Sequence, residues 1–310
     1  MSSLVVLGSS SFLGKILLNN ISGDLVVKAI VRKIPEDVDK YNKNIKWIKV
    51  DSIKSLTLNN ILTEGDIVIN LIYIRDDDKN TNITLINNVV KACVASKVSR
   101  LIHCSTASVV GDVQTQYINE LTFCNPKTDY EKVKFEVEKI VLSGLSKELD
   151  VVILRPTAIV GDGGKNLKKL ANSLMFGNKF TNYLRTCVLG SMPMHLVPAR
   201  NVVGALIFLS LLKKKLNGNI FIVSEDENIN NNFKKVQEIL IDELGLEHPI
   251  FPHIFLPRIL QSILFKIINR SDLNIKRKYD SKKIIDYGFK PNDTIKEAIK
   301  QFLKSINNYD

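Results

Sequence analysis

Tyr130-Glu131-Lys132-Val133-Lys134 places a phenol and an amine four residues apart. On a helix such a pair shares one face. An ammonium beside a phenol favours the phenolate, so a tyrosine in this setting can take up or release a proton near neutral pH. The spacing alone is common in a lysine-rich chain with eight tyrosines. Position gives it weight: the motif falls between two apolar runs, residues 100–105 and 151–155, each reading as a strand. His103-Cys104-Ser105-Thr106-Ala107-Ser108 sets hydroxyls at the end of the first run. One of these can bond a reacting carbonyl or alcohol oxygen, with strand-end capping the plainer role for Ser108. The candidate catalytic set is Tyr130, Lys134 and one hydroxyl among Ser105, Thr106 and Ser108.

A second constellation opens the chain. Gly8-Ser9-Ser10-Ser11-Phe12-Leu13-Gly14 follows the apolar run Leu4–Leu7 and leads into a helix-period stretch. A helix start offers unpaired N–H groups and a positive dipole end to a pyrophosphate, and glycines let the backbone approach it. Ser11 stands at the middle glycine position, where its hydroxyl can still bond a phosphate. The expected cofactor contacts are therefore Gly8, Ser10, Ser11, Phe12, Leu13 and Gly14. The second strand ends in Val31-Arg32-Lys33, without the acid that would bond both ribose hydroxyls of NAD. Arg32 can pair with a 2′-phosphate and stack on adenine, so NADP(H) is expected over NAD(H). The plainer reading of Arg32 and Lys33 is solvated charge after a strand. Asp51, ending the third strand, can accept a bond from the adenine amino group, and Lys134 can hold the nicotinamide ribose.

These residues need elements to carry them. Apolar strands are expected at residues 4–7, 25–31, 45–50, 66–74, 100–105 and 151–155, and helices at 12–21, 82–96 and 130–145. Continuous apolar strands alternating with helices indicate a parallel sheet covered on both faces. That is the α/β class: a Rossmann doubly wound sheet, which binds ligands at the carboxyl ends of its strands. After the turn cluster Gly161-Asp162-Gly163-Gly164 the pattern changes. A helix over 167–176, a return strand and helix over 195–212, a strand over 219–223 and an interrupted helical remainder follow. The expected division is 1–165 and 195–224 for the NADP(H)-binding domain. Residues 166–194 and 225–310 form a smaller, mostly helical substrate lobe.

The 310 residues suffice for two such units. No run approaches a membrane span and the first residues lack a basic leader region, so a cytoplasmic protein is expected. None of the four cysteines has a CxxC partner or a histidine at zinc spacing, so no metal is expected. Cys93 and Cys104 read as buried thiols. The formal charge of +11 reads first as solubility. Its alternative is an anionic partner: a phosphorylated cofactor, a diphosphate-bearing substrate or an acidic membrane face. Nucleic acid is not expected, because the basic residues are dispersed and no aromatic-plus-basic motif accompanies them. Residues 254–270 are apolar with basic flanks. They read as a helix packed on the second lobe, with peripheral membrane docking the alternative. A homodimer is compatible with the sequence.

Together these residues resemble the extended short-chain dehydrogenase/reductase superfamily, in its NAD-dependent epimerase/dehydratase branch, over almost the whole chain. The family's GxxGFLG loop matches Gly8 to Gly14 except at Ser11, and its adenine-side acid matches Asp51. Its VIHLA strand is similar to Val68-Ile69-Asn70-Leu71-Ile72, and its NVxGTxNxLEA helix to Asn82-Ile83 and Asn88-Val89-Val90-Lys91-Ala92, with Leu85 and Ile86 for Gly-Thr. Its serine/threonine segment matches Ser105-Thr106 and Val109-Val110-Gly111, with Val110 for tyrosine. YxxxKxxxE falls on Tyr130, Lys134 and Glu138, LRPxxxxG on Leu154-Arg155-Pro156 and Gly161, and a weaker C-terminal pattern on Lys283 and Gly288-Phe289-Lys290-Pro291. The resemblance puts the catalytic hydroxyl on Thr106, so that the catalytic set becomes Thr106, Tyr130 and Lys134. It adds Leu71, Ile72, Asn82 and Pro156 to the cofactor contacts, and Thr106, Ser108, Tyr130 and His195 to the substrate contacts. The plainer role of His195 is a core or hinge histidine. What the resemblance implies is an oxidoreductase or epimerase of a nucleotide sugar supplying glycan precursors, with 4-keto reduction by NADPH in first place. A dehydratase is disfavoured, because Ala107-Ser108 stand where that activity carries Asp-Glu. The alternatives are reduction of a non-sugar carbonyl, such as a steroid, flavonoid or aldehyde, and a non-catalytic NADP(H)-binding sensor.

Overall fold

The computed structural model describes residues 3–21, 25–50, 54–74, 79–250, 255–257, 260 and 276–307. A seven-stranded sheet forms its centre, in the order β10-β7-β5-β4-β1-β2-β3, and every pairing within it is parallel. Its strands are β1 (Leu4–Leu7), β2 (Val27–Val31), β3 (Ile45–Lys49), β4 (Ile67–Asn70), β5 (Arg100–Cys104), β7 (Asp150–Pro156) and β10 (Ile220–Val223). The order reverses direction between β1 and β4. A doubly wound sheet opens a crevice at such a switch point. The expected fold class is the one observed.

Alternation along each strand divides two layers of core. Leu4 and Val6 of β1, with Val152 and Leu154 of β7, face α1 (Phe12–Asn20) and α7 (Ala199–Leu211). Val5 and Leu7, with Val151 and Ile153, face α2 (Ser55–Asn59), α3 (Lys79–Ala95) and α4 (Asp129–Ser143). Both faces are buried, which is why the strands read as continuous apolar runs rather than alternating ones. Cys93 and Cys104 are buried in these layers as free thiols, and burial pushes them up to about 12 and about 11.

A further core lies past the carboxyl edge of the sheet. It joins β8 (Ala158–Val160), α5 (Lys168–Phe176), β9 (Leu196–Pro198), α8 (Phe233–Glu243) and, beyond the short α9 (Lys282–Asp286), α10 (Ile295–Asn307). Ile295, Ala298, Ile299, Phe302 and Leu303 recur at three- and four-residue steps and form the buried stripe of α10. β8 and β9 pair in parallel, so residue 158 lies directly beside residue 196. Two short strands, β6 (Tyr117–Ile118) and β11 (Lys278–Tyr279), tie the C-terminal part to the loop before α4.

Observed boundaries depart from expectation in physical ways. β4 stops at Asn70, where the Asn70 side chain accepts the Ile72 N–H and turns the chain out of the sheet. A helix absent from the sequence reading, α6 (Lys179–Leu189), follows α5. Asn178 caps it by accepting the Thr181 N–H at 3.0 Å. Residues 254–270 fall almost wholly outside the described residues. Among the described residues, no helix is long and apolar enough to cross a membrane.

Candidate active site

The carboxyl ends of the central strands open into a cleft of about 1390 Å³. Ser11, Phe12 and Leu13 line it from the first turn, Thr106 and Ser108 from the segment after β5, and Tyr130 and Lys134 from α4. Pro156, Met194, His195 and Tyr279 close the other side.

The first turn is shaped by its glycines. Gly8 has φ +84°, and a Cβ there would come within 3.2 Å of the Leu71 carbonyl carbon. A Cβ on Gly14 would overlap the carbonyl oxygens of Gly8 and Ser9. Ser11, by contrast, has φ −71° and ψ 166° and serves as the N-cap of α1, its hydroxyl oxygen accepting the Gly14 N–H at 3.1 Å. The turn therefore keeps glycine where the backbone demands it and uses serine where an extended residue suffices. A helix start cradled between β1 and β4 fits the diphosphate of a dinucleotide. Gly8, Ser10 and Gly14 shape this turn from outside the cleft lining, and Ile72 packs behind Gly8. Arg32 is exposed just past β2. Asp51 lies outside the described residues.

α4 begins with a capping box. Thr128 accepts the Glu131 N–H at 3.2 Å while Glu131 accepts the Thr128 N–H at 3.0 Å. Val133, Val137 and Val141 anchor the helix on the sheet. Tyr130 and Lys134 share the face toward β5, at 42 % and 4 % exposure respectively. The Lys134 ammonium donates to the Cys104 carbonyl oxygen at 3.2 Å and lies 4.9 Å from the centroid of the Tyr73 ring. Tyr73 in turn meets Tyr130 edge to face, with centroids 5.3 Å apart. One turn further, Glu138 receives Arg155 of β7 through Nε at 3.0 Å and Nη2 at 2.6 Å, with both side chains buried. This fork holds the helix to the strand that ends at Pro156.

Thr106 caps the turn after β5. Its Oγ1 accepts the Ser108 N–H and lies 3.2 Å from the Ser108 hydroxyl oxygen. The capping role expected of Ser108 thus belongs to Thr106, and both hydroxyls reach the cleft.

On the far wall, His195 takes φ +50°, an uncommon conformation for a non-glycine residue. Its Nδ1 donates to the buried Asp226 carboxylate at 2.6 Å, and its ring meets Tyr279 edge to face at 5.2 Å. Asp226 also accepts the Tyr279 N–H at 2.8 Å. The His195 carbonyl accepts the Ala158 N–H at 2.8 Å, fixing this wall two residues beyond Pro156.

Besides Gly8, Ser10, Gly14 and Ile72, the expected contacts Arg32 and Asn82 do not line the cleft. Asn82 is buried outside the cleft lining. Its side chain accepts the Ile74 N–H at 3.0 Å and donates to the Ile74 carbonyl at 2.9 Å. Its work is to clamp the loop after β4, because both halves of its amide are consumed there. Tyr73, Asp226 and Tyr279 escaped the sequence reading. Only Tyr73 carried a signal: it stands near the carboxyl end of the strand expected over 66–74, where such sheets bind ligands.

The model of the 3-beta hydroxysteroid dehydrogenase/isomerase family matches residues 5–256. No curated protein sequence matches the chain. Among solved structures, the enzyme WbmG of Bordetella bronchiseptica in complex with NAD aligns with TM-score 0.72 and 19 % identity, covering 99 % of this chain and 94 % of that one. UDP-glucuronic acid 4-epimerase of Bacillus cereus, in complex with NAD, aligns with TM-score 0.74 and 17 % identity over 99 % and 97 % of the two chains. The dTDP-glucose 4,6-dehydratase of Bacillus anthracis, in complex with NAD, aligns with TM-score 0.73 and 13 % identity over 100 % and 98 %. At these identities the likeness is one of fold.

Proposed function

The chain belongs to the 3-beta hydroxysteroid dehydrogenase/isomerase family, a branch of the extended short-chain dehydrogenases/reductases, and on that premise we propose that it is an NADP(H)-dependent oxidoreductase of a nucleotide sugar, reducing a keto group at sugar C4. The observation that carries the reading is the meeting of Thr106, Tyr130 and Lys134 with the N-terminal turn in one cleft. The Thr106 hydroxyl donates to the reacting oxygen, Tyr130 moves the proton there, and Lys134 holds the nicotinamide ribose. A bound nicotinamide supplies the hydride, while the protein orients the partners. Ser11, Phe12 and Leu13 would meet the diphosphate on the turn that Gly8, Ser10 and Gly14 shape, Leu71 and Pro156 would border the nicotinamide, with Ile72 packed behind the turn, and Arg32 would read the 2′-phosphate. Ser108 and His195 meet the sugar. Residues 1–165 and 195–224 are assigned to cofactor binding, and 166–194 and 225–310 to the substrate.

Charge favours an anionic substrate. Among the described residues, Lys79, Lys132 and Lys165 line the cleft besides Lys134, against the carboxylate of Asp129. Such an excess suits the diphosphate of a nucleotide sugar. The family match favours a second reading, a hydroxysteroid or similar apolar alcohol, which Phe12, Leu13, Ile159 and Met194 would line.

Mass spectrometry of ligand released from purified protein separates the two, followed by turnover assays. The assays pair NADP+ or NAD+ with UDP-glucuronic acid, dTDP-glucose and a 3β-hydroxysteroid. A bound nucleotide sugar, or hydride transfer with one, is expected; transfer with the steroid alone overturns the sugar assignment. Tyr130→Phe is expected to lower kcat by about 10²–10⁴-fold, the usual contribution of a positioned acid–base group, with NADPH binding intact.

A further inference from the structure

Tyr73 belongs to none of the motifs that point to the chemistry, yet it touches both members of the acid–base pair. The Lys134 ammonium lies 4.9 Å from its ring centroid, and the Tyr130 ring meets it edge to face at 5.3 Å and 87°. The loop that carries Tyr73 is pinned on both sides. Asn70 accepts the Ile72 N–H at 3.1 Å, and Asn82 engages the N–H and carbonyl of Ile74 at 3.0 and 2.9 Å. Tyr73 is thus held as a wall of the cleft.

We propose that Tyr73 is a positioning residue: the face of its ring holds the Lys134 ammonium, and its contact with Tyr130 fixes the phenol above the cleft. The proposal rests on the functional reading only for the roles of Tyr130 and Lys134. An ammonium attracts the negative face of an aromatic ring, most strongly where water is excluded, and Lys134 is only 4 % exposed. The Cys104 carbonyl supplies one anchor and the ring a second, which together confine a flexible four-carbon side chain. The edge-to-face contact follows the preferred geometry of aromatic pairs and restrains rotation of Tyr130, whose ring is otherwise half exposed. Both contacts need an aromatic ring and neither needs the Tyr73 hydroxyl, which sets the order of variants.

The full chain is compared with Tyr73→Phe and Tyr73→Ala, using thermal midpoint and NADPH binding as controls of integrity. Labelling with methyl acetimidate, read by peptide mass spectrometry with exposed Lys132 as internal reference, reports access to Lys134. Wild type and Tyr73→Phe are expected to protect Lys134. Tyr73→Ala is expected to label it about tenfold faster, the scale set by loss of a desolvated cation–π contact. With the substrate in hand, kcat of Tyr73→Ala falls about tenfold by the same contact while KM stays within about twofold, and Tyr73→Phe restores it. Unchanged labelling in a folded Tyr73→Ala, or Tyr73→Phe behaving as alanine, overturns the proposal. If alanine unfolds the chain, Tyr73→Leu keeps the bulk without the ring and decides by the same readout. Ring-dependent protection in a protein that transfers no hydride overturns the functional reading and leaves the placement of Lys134 standing.

Discussion

Ser11 shows how a departure from a motif is judged by backbone conformation. Its φ and ψ are those of an ordinary extended residue, so a side chain costs nothing there and gains a cap of about 1 kcal/mol. Gly8 and Gly14 have no such latitude. Arg32 is read by charge instead. A guanidinium past β2 suits a 2′-phosphate, while a carboxylate there would repel it. Wild type is expected to bind NADPH more tightly than NADH, and Arg32→Asp to weaken NADPH by about tenfold or more, the scale of a lost charge-assisted bond. Equal wild-type affinities, measured by fluorescence titration, remove the NADP assignment. Tyr130 and Lys134 were legible because a four-residue step on a helix is a local rule. The partnership of His195 with Asp226 was not, since 31 residues separate them and only folding sets them 2.6 Å apart.

At the scale of elements, the Glu138–Arg155 fork decides where α4 lies. The motifs marked both residues, but no spacing rule pairs a helix residue with a strand residue 17 positions later. The register explains it: β7 alternates, Arg155 faces the same side as Val151 and Ile153, and α4 covers that side. Removing one partner leaves the other charge buried and unpaired. Arg155→Met is therefore expected to cost about 3–5 kcal/mol in urea unfolding, with kcat falling further as Tyr130 drifts. Glu138→Leu combined with Arg155→Met should recover much of that stability, because no charge is stranded. A single variant as stable as wild type would show that the valine stripe alone seats the helix. The pairs β6–β11 and β8–β9 were invisible in the sequence for a related reason: two or three residues carry no period to detect.

At the scale of the whole molecule, the two-faced parallel sheet was legible because buried parallel strands advertise themselves as apolar runs, while the lateral order of the strands is set by crossovers that no run displays. The polar residues within those runs were the harder part. His103 is one: fully enclosed in β5, it faces α4 beside Lys134. Asn70 gives its carbonyl oxygen to the Ile72 N–H, so its amide nitrogen, 3.1 Å from His103 Nδ1, is the donor and Nδ1 the acceptor. Burial, and then the Lys134 charge, hold this imidazole well below its ordinary range. The folded state thus binds a proton less readily at this site than the unfolded chain does. The stability that follows is present above the unfolded value near 6.5 and is lost as pH falls below it, at about 1.4 kcal/mol per pH unit. His103→Asn supplies an amide oxygen as acceptor for Asn70 and has no proton to gain, so it should lack this component. Urea unfolding at pH 7.5 and 5.5 is expected to show a larger loss for wild type than for His103→Asn, by about 1 kcal/mol. Equal losses would mean that the sheet admits a charged imidazole beside Lys134, against the burial of His103 and the nearby ammonium.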